Sequence, residues 1–166
     1  MNAGIKKVGS VRYPFVRAET MVIASDNASL GMAYRNLIEE KLAVRDYFFY
    51  RNKDVIDSLA FNYNKDRPYS ISMIKRNLDC GVRKILLVTH VDYSDCKDKT
   101  AQEGKFNRKV SAAQGAIRAI LNQFKGQFGN LTVEGYIIVM KGELKVFHQI
   151  LELEKSVSAG ATQIPQ

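Results

Sequence analysis

The chain has 166 residues, 46% of them hydrophobic and 25% charged, which suits one globular domain with a core of its own and excludes wholesale disorder. No apolar run reaches the length of a membrane span, and residues 1–7 lack the apolar region of a secretory signal, so a cytoplasmic protein is expected. Lysine and arginine number 25 against 17 acidic residues, a formal charge of +8 that favours anionic partners without naming one. The basic residues are spread from Lys6 to Lys155 with no block of like charge, which reads as a solvated surface rather than a nucleic-acid footprint.

The composition divides the chain into a basic, weakly patterned arm over 1–18, a folded domain over 19–152 and a linker-like tail over 153–166. Met21-Val22-Ile23-Ala24 predicts a strand, and Ser25-Asp26-Asn27 after it is a loop rich in helix-capping residue types. Leu30, Ala33, Tyr34, Leu37, Ile38 and Leu42 then recur at helical spacing over 29–44. Asp46 to Arg51 is aromatic and predicts a second strand. Pro68 opens a helix with Ile71, Ile74 and Leu78 on one face, and Gly81 closes it.

Ile85-Leu86-Leu87-Val88 is apolar on both faces, as a central parallel strand must be. The segment from Lys97 to Gly104 reads as a charged surface loop, with a lid over a pocket as the other reading. A long helix over 105–128 follows, with Lys105, Arg108, Lys109, Arg118 and Lys125 around its wetter side. Leu131 to Met140 and Glu143 to Ile150 predict a hairpin turning at Lys141-Gly142. Strands alternating with helices give an α/β domain, a mostly parallel central sheet flanked by helices with a C-terminal β-hairpin. Ligands of such sheets gather at the carboxyl ends of the strands, where Asp26 and His90 fall.

Four segments, in order, resemble the β-class carbonic anhydrases. Val22 to Asn27 is similar to that family's strand ending in Cys-Ser-Asp-Ser-Arg, and Phe48-Phe49-Tyr50-Arg51-Asn52 to its Phe-Val-Val-Arg-Asn strand. Ser70 to Ile74 with Gly81 to His90 resembles the helix, turn and strand that end in the family's zinc-binding His. Val133 to Val146 resembles its closing hairpin. The resemblance covers about residues 20–150 and implies a β-carbonic-anhydrase-like fold, a homodimer or larger assembly, zinc as cofactor and a lyase that hydrates carbon dioxide.

The site departs from that pattern. Ala24 stands where the family has its first zinc-binding Cys, Ala28 where it has the Arg that pairs with its Asp, and Tyr93 where it has its second Cys. Cys96 lies three residues further on. Asp26, His90 and Cys96 are therefore the candidate metal ligands, with the fourth zinc position open for water, and Asp26 is the candidate catalytic group. Arg51 and Asn52 are candidate contacts to an anion or to a neighbouring subunit. The opposing expectation is a relic site in which His90 is merely hydrogen-bonded.

Cys80, before Gly81, reads as a buried small hydrophobe, His148 as a half-exposed strand residue, and Asp92 and Asp95 as loop-solvating carboxylates. Ser25, Asp26 and His90 invite a nucleophile triad, but no Gly-x-Ser-x-Gly turn accompanies them. Three functions follow: a carbonic-anhydrase-like protein that has lost its standard zinc site and binds a small anion such as bicarbonate, or a partner; a zinc lyase with a remodelled Asp26-His90-Cys96 site; and, resting on charge alone, a nucleic-acid-binding module. The first is the expected one, because each lost thiolate weakens the hold on zinc.

Overall fold

The structure is a computed structural model that describes residues 18–61 and 65–151. The expected arm over 1–18, apart from Ala18, and the expected tail over 153–166 lie outside the described residues. Strand β1 (Thr20–Ser25) is buried along its whole length. A 3-10 turn (Ala28–Leu30) follows, capped by Asn27, whose side chain accepts from the Ser29 amide. Helix α1 (Gly31–Arg35) then widens into a π-helical turn over Asn36–Lys41. The periodicity over 29–44 predicts one helix; the structure breaks it into these pieces, because Leu37 and Ile38 must both reach the core while Ala43 turns back at φ 55°.

Strand β2 (Tyr47–Asn52) is followed by a short helix, α2 (Val55–Ala60), that the sequence does not announce. It forms because Val55, Ile56 and Leu59 are buried in the core and the Ser58 hydroxyl donates to the Val55 carbonyl at 2.8 Å. Helix α3 (Arg67–Asp79) takes Pro68 in its first turn and buries Ile74 and Leu78. Gly81 closes it at φ 108°, a backbone state that costs glycine little. Cys80 is exposed, which corrects the expectation of a buried thiol.

Strand β3 (Lys84–Asp92) extends four residues beyond the apolar run that predicts it. Helix α4 (Lys99–Phe124) begins six residues before its predicted start, so most of the expected loop over 97–104 is helix. Asp98 explains the early start: its side chain accepts from the Ala101 amide and caps the helix. Strands β4 (Thr132–Lys141) and β5 (Leu144–Ile150) form the expected hairpin, with Gly142 at φ 59° in the turn.

The five strands make one sheet in the order β2-β1-β3-β4-β5. The first four run parallel and β5 returns antiparallel. One face packs Ile23, Leu87 and Ile137 against α2, α3 and α4; the other packs Val22, Leu86 and Ile138 against Tyr34, Leu37 and Ile38. Among the described residues no helix is long and apolar enough to cross a membrane.

Gly135 on β4 is where α4 and β5 come closest to the strand. A Cβ there meets Ile117 Cδ1 at 3.0 Å and Ile150 Cβ at 3.2 Å. Gly135→Ala is therefore expected to overpack the core and cost about 1–3 kcal/mol. Chemical denaturation checks this, and an unchanged midpoint counts against the close approach.

Candidate functional site

Chain order passes from β1 to β2 on one side and to β3 on the other, so the sheet reverses direction between β1 and β3. The crevice above that point is where the carboxyl ends of parallel strands hold ligands. Ala24 pairs with Arg51 on one neighbour and with Val88 on the other. That register brings the residues just after β1 level with Asn52 and His90.

Asp26 and Arg51 meet here. The Arg51 Nε donates to Asp26 Oδ1 at 2.8 Å, with both side chains about half exposed. The Asp26 amide also donates to the Asn52 carbonyl at 3.0 Å, which continues the β1–β2 ladder by one step. The guanidinium that faces Asp26 thus comes from the adjacent strand, while position 28 holds an alanine. Beneath the pair, Tyr34 donates its hydroxyl to the Ser25 carbonyl. Burial pushes the Tyr34 phenol up to about 12, with Arg51 pulling down and Asp26 pushing up.

His90 is held from the β1 side. Asn27 lies 3.4 Å from its Nε2 through the amide nitrogen Nδ2. The Asn27 oxygen is already taken, accepting from the Ser29 amide at 3.0 Å and the Ser29 hydroxyl at 2.7 Å, so Nδ2 is the end that faces the ring. An amide N–H donates, so Nε2 accepts and the imidazole proton sits on Nδ1. That Nδ1 is buried with no hydrogen-bond partner among the described residues, and so are Thr89 Oγ1 beside it in sequence and Tyr50 Oη near the end of β2. Burial first, then the Lys109 charge, holds the imidazole below its ordinary 6.5; Asp92 opposes and Lys105 adds to the depression.

Both lysines come from the first turns of α4. Lys105 Nζ donates to the Asp92 carbonyl at 2.8 Å and stands 3.7 Å from Asp95. Lys109 stands 3.8 Å from Asp57 of α2. The Asp92 carboxyl is held below its usual range chiefly by the Ser94 amide, which donates to it at 2.9 Å.

A proton NMR titration of the His90 ring should find it neutral through pH 7, with its transition below 6.5. Between the lowered folded-state value and 6.5 the folded state then binds fewer protons than the unfolded chain, so His90 withdraws stability as pH falls below 6.5. His90→Gln is expected to remove that part of the pH dependence of the melting temperature. A ring that titrates above 6.5 contradicts the assignment.

Among the described residues no group of three or more His, Cys, Asp and Glu is disposed to hold a metal ion. Asp26 faces Arg51, and the Nε2 lone pair of His90 is covered by the Asn27 amide. Cys96 sits in the turn after β3, its amide donating to the Tyr93 carbonyl at 3.0 Å. Asn27, Tyr50, Thr89, Lys105 and Lys109 are the site residues that sequence reasoning misses. Asn27 left a signal as a cap-forming residue next to Asp26, and Lys105 and Lys109 as part of the helix's wetter side, without pointing to this site.

The fold is α/β, a five-stranded sheet flanked by helices and closed by an antiparallel hairpin. No model of a known protein family matches the chain, and neither does any curated protein. Among solved structures it is similar to the β-carbonic anhydrase isoform I of the protozoan Trichomonas vaginalis. That likeness covers 91% of this chain and 90% of the other at 11% identity, with a TM-score of 0.46. It is also similar to the β-carbonic anhydrase of the fungal pathogen Aspergillus fumigatus, over 83% of this chain and 77% of the other at 14% identity, with a TM-score of 0.41.

Proposed function

We propose that this chain binds a small oxyanion of bicarbonate size at the carboxyl ends of β1, β2 and β3, and that it does so without zinc and without hydrating carbon dioxide. The observation that carries the reading is the state of His90. Asn27 donates to Nε2, leaving Nδ1 as a buried N–H with no partner among the described residues. A metal needs lone pairs, whereas an oxyanion needs donors. The Thr89 and Tyr50 hydroxyls are buried without a partner among the described residues too, but they lie on the opposite face of the sheet from His90, so the anion is assigned to the His90 side, where a buried donor gains most from an acceptor. Arg51, Lys105 and Lys109 bring three cations to that end, facing Asp26, Asp95 and Asp57 in turn.

Asp26 in this reading is a positioning residue: its carboxylate orients Arg51 through Nε and leaves the remaining guanidinium N–H groups for the anion. The test is calorimetric titration of the untagged chain with bicarbonate and, separately, with zinc. The expected result is saturable, salt-sensitive binding of bicarbonate and no stoichiometric zinc after dialysis. One zinc per chain, together with hydration of carbon dioxide above the uncatalysed rate, overturns the reading.

The same reading includes self-association. Strand β2 is an edge of the sheet, and its Phe48 and Phe49 are 40% and 43% exposed. An open edge carrying aromatics suits pairing with a second copy. Light scattering that returns only the 18.7 kDa monomer mass at every concentration removes this part.

A further inference from the structure

A concavity that His90 does not line lies between the start of α4 and the β4–β5 hairpin, with a volume of about 360 Å³. This is within the range that holds a small organic ligand. Val139 and Val146 line it with apolar surface, and Tyr93 and Phe106 supply aromatic rings. Phe106 meets the His148 ring edge-on at 6.1 Å between centroids. Lys141 Nζ stands 5.8 Å from the centre of the Tyr93 ring, a distance at which the ammonium is attracted to the aromatic face. None of Asp26, Asn27, Arg51 or His90 lines this cleft.

We infer that this cleft binds a small planar aromatic carboxylate, its ring between Tyr93 and Phe106 and its carboxylate on Lys141. Each part of the lining calls for one part of that ligand. Two rings over valine side chains favour a flat apolar body and gain little from a bare inorganic ion. Lys141 makes no ion pair with any described residue, so its charge is open to an anionic substituent at the mouth. The carboxylate of Glu103, also at the cleft, has Lys99 at 4.0 Å and is partly offset. His148, exposed on β5, supplies a further polar edge.

The chain contains no tryptophan, so with excitation to the red of tyrosine absorption the fluorescence of an indole compound reports its own binding without a protein background. Indole-3-carboxylate and neutral indole are titrated against the whole chain and against Lys141→Met and Phe106→Ala. The expected result is saturable binding of indole-3-carboxylate that Lys141→Met weakens about tenfold or more, as loss of a charge-assisted contact requires. Indole binding should stay unchanged in Lys141→Met, which also reports that the variant is folded, and Phe106→Ala should weaken both compounds. Absence of saturable binding of indole-3-carboxylate to the unaltered chain overturns the inference. So does a Lys141→Met variant that binds it as the unaltered chain does.

Discussion

Asp26→Asn is expected to tighten bicarbonate binding and Arg51→Met to abolish most of it, opposite signs from two partners of one ion pair. The pair is 2.8 Å apart, with side chains 40% and 47% exposed, so its own contribution to folding is at most about 1 kcal/mol and both variants should fold. An anion arriving beside Arg51 meets the Asp26 carboxylate as a like charge. In Asp26→Asn the amide oxygen can still accept from Arg51 Nε and keep it oriented, while neutralising the charge at an effective dielectric between bulk water and protein interior removes about 1 kcal/mol of repulsion or more, roughly a fivefold gain in affinity. Losing Arg51 removes a charge-assisted donor worth about 1.5–3 kcal/mol, roughly a ten- to hundredfold loss. Calorimetry on the two variants separates the readings. If Asp26 were a metal ligand or a catalytic base, Asp26→Asn would weaken function along with Arg51→Met.

Most of the scaffold can be read from the sequence because its strands carry strong, local patterns. Ile85 to Val88 is apolar on both faces, and only a central parallel strand satisfies that; the structure places it between β1 and β4. What escapes is decided by contacts far apart in the chain. Helix α2 has too few residues for a period to show, and its existence depends on Val55, Ile56 and Leu59 being buried in the core. The break in the helix over 29–44 arises from fitting Leu37 and Ile38 against the sheet, which no propensity encodes.

The site is legible only in part, for the same reason. That Asp26 and His90 share an end of the sheet follows from the rule that ligands gather at carboxyl ends of strands. The partners of each side chain do not follow. Arg51 is 25 residues from Asp26 in sequence and reaches it because β1 and β2 pair in register, Ala24 beside Arg51. Asn27 looks like a simple capping residue, yet the cap is what fixes its amide: with the oxygen occupied by Ser29, the nitrogen is turned to His90. A local motif thereby sets the tautomer of a ring on another strand.

Tyr34 couples the core to this edge, and its replacement should cost the most stability of any single change near the site. The side chain is 2% exposed, its ring lies 5.8 Å from that of Phe49, and its hydroxyl donates to the Ser25 carbonyl. With the phenol pushed up to about 12, the hydroxyl remains a protonated donor at all ordinary pH. Tyr34→Ala is expected to lose about 3–5 kcal/mol by leaving a cavity under β1. Tyr34→Phe keeps the ring and should lose about 1–3 kcal/mol, the cost of an unmade buried bond. Urea unfolding of both variants measures these losses, and equal losses would assign the whole effect to the hydroxyl. Ser25 immediately precedes Asp26 and Asn27, so the bond from Tyr34 also anchors the segment that orients Arg51 and His90. Tyr34→Phe should therefore weaken bicarbonate binding as well as the fold. A variant that loses stability but keeps full affinity would show that the strand end is held by its ladder to β2 alone.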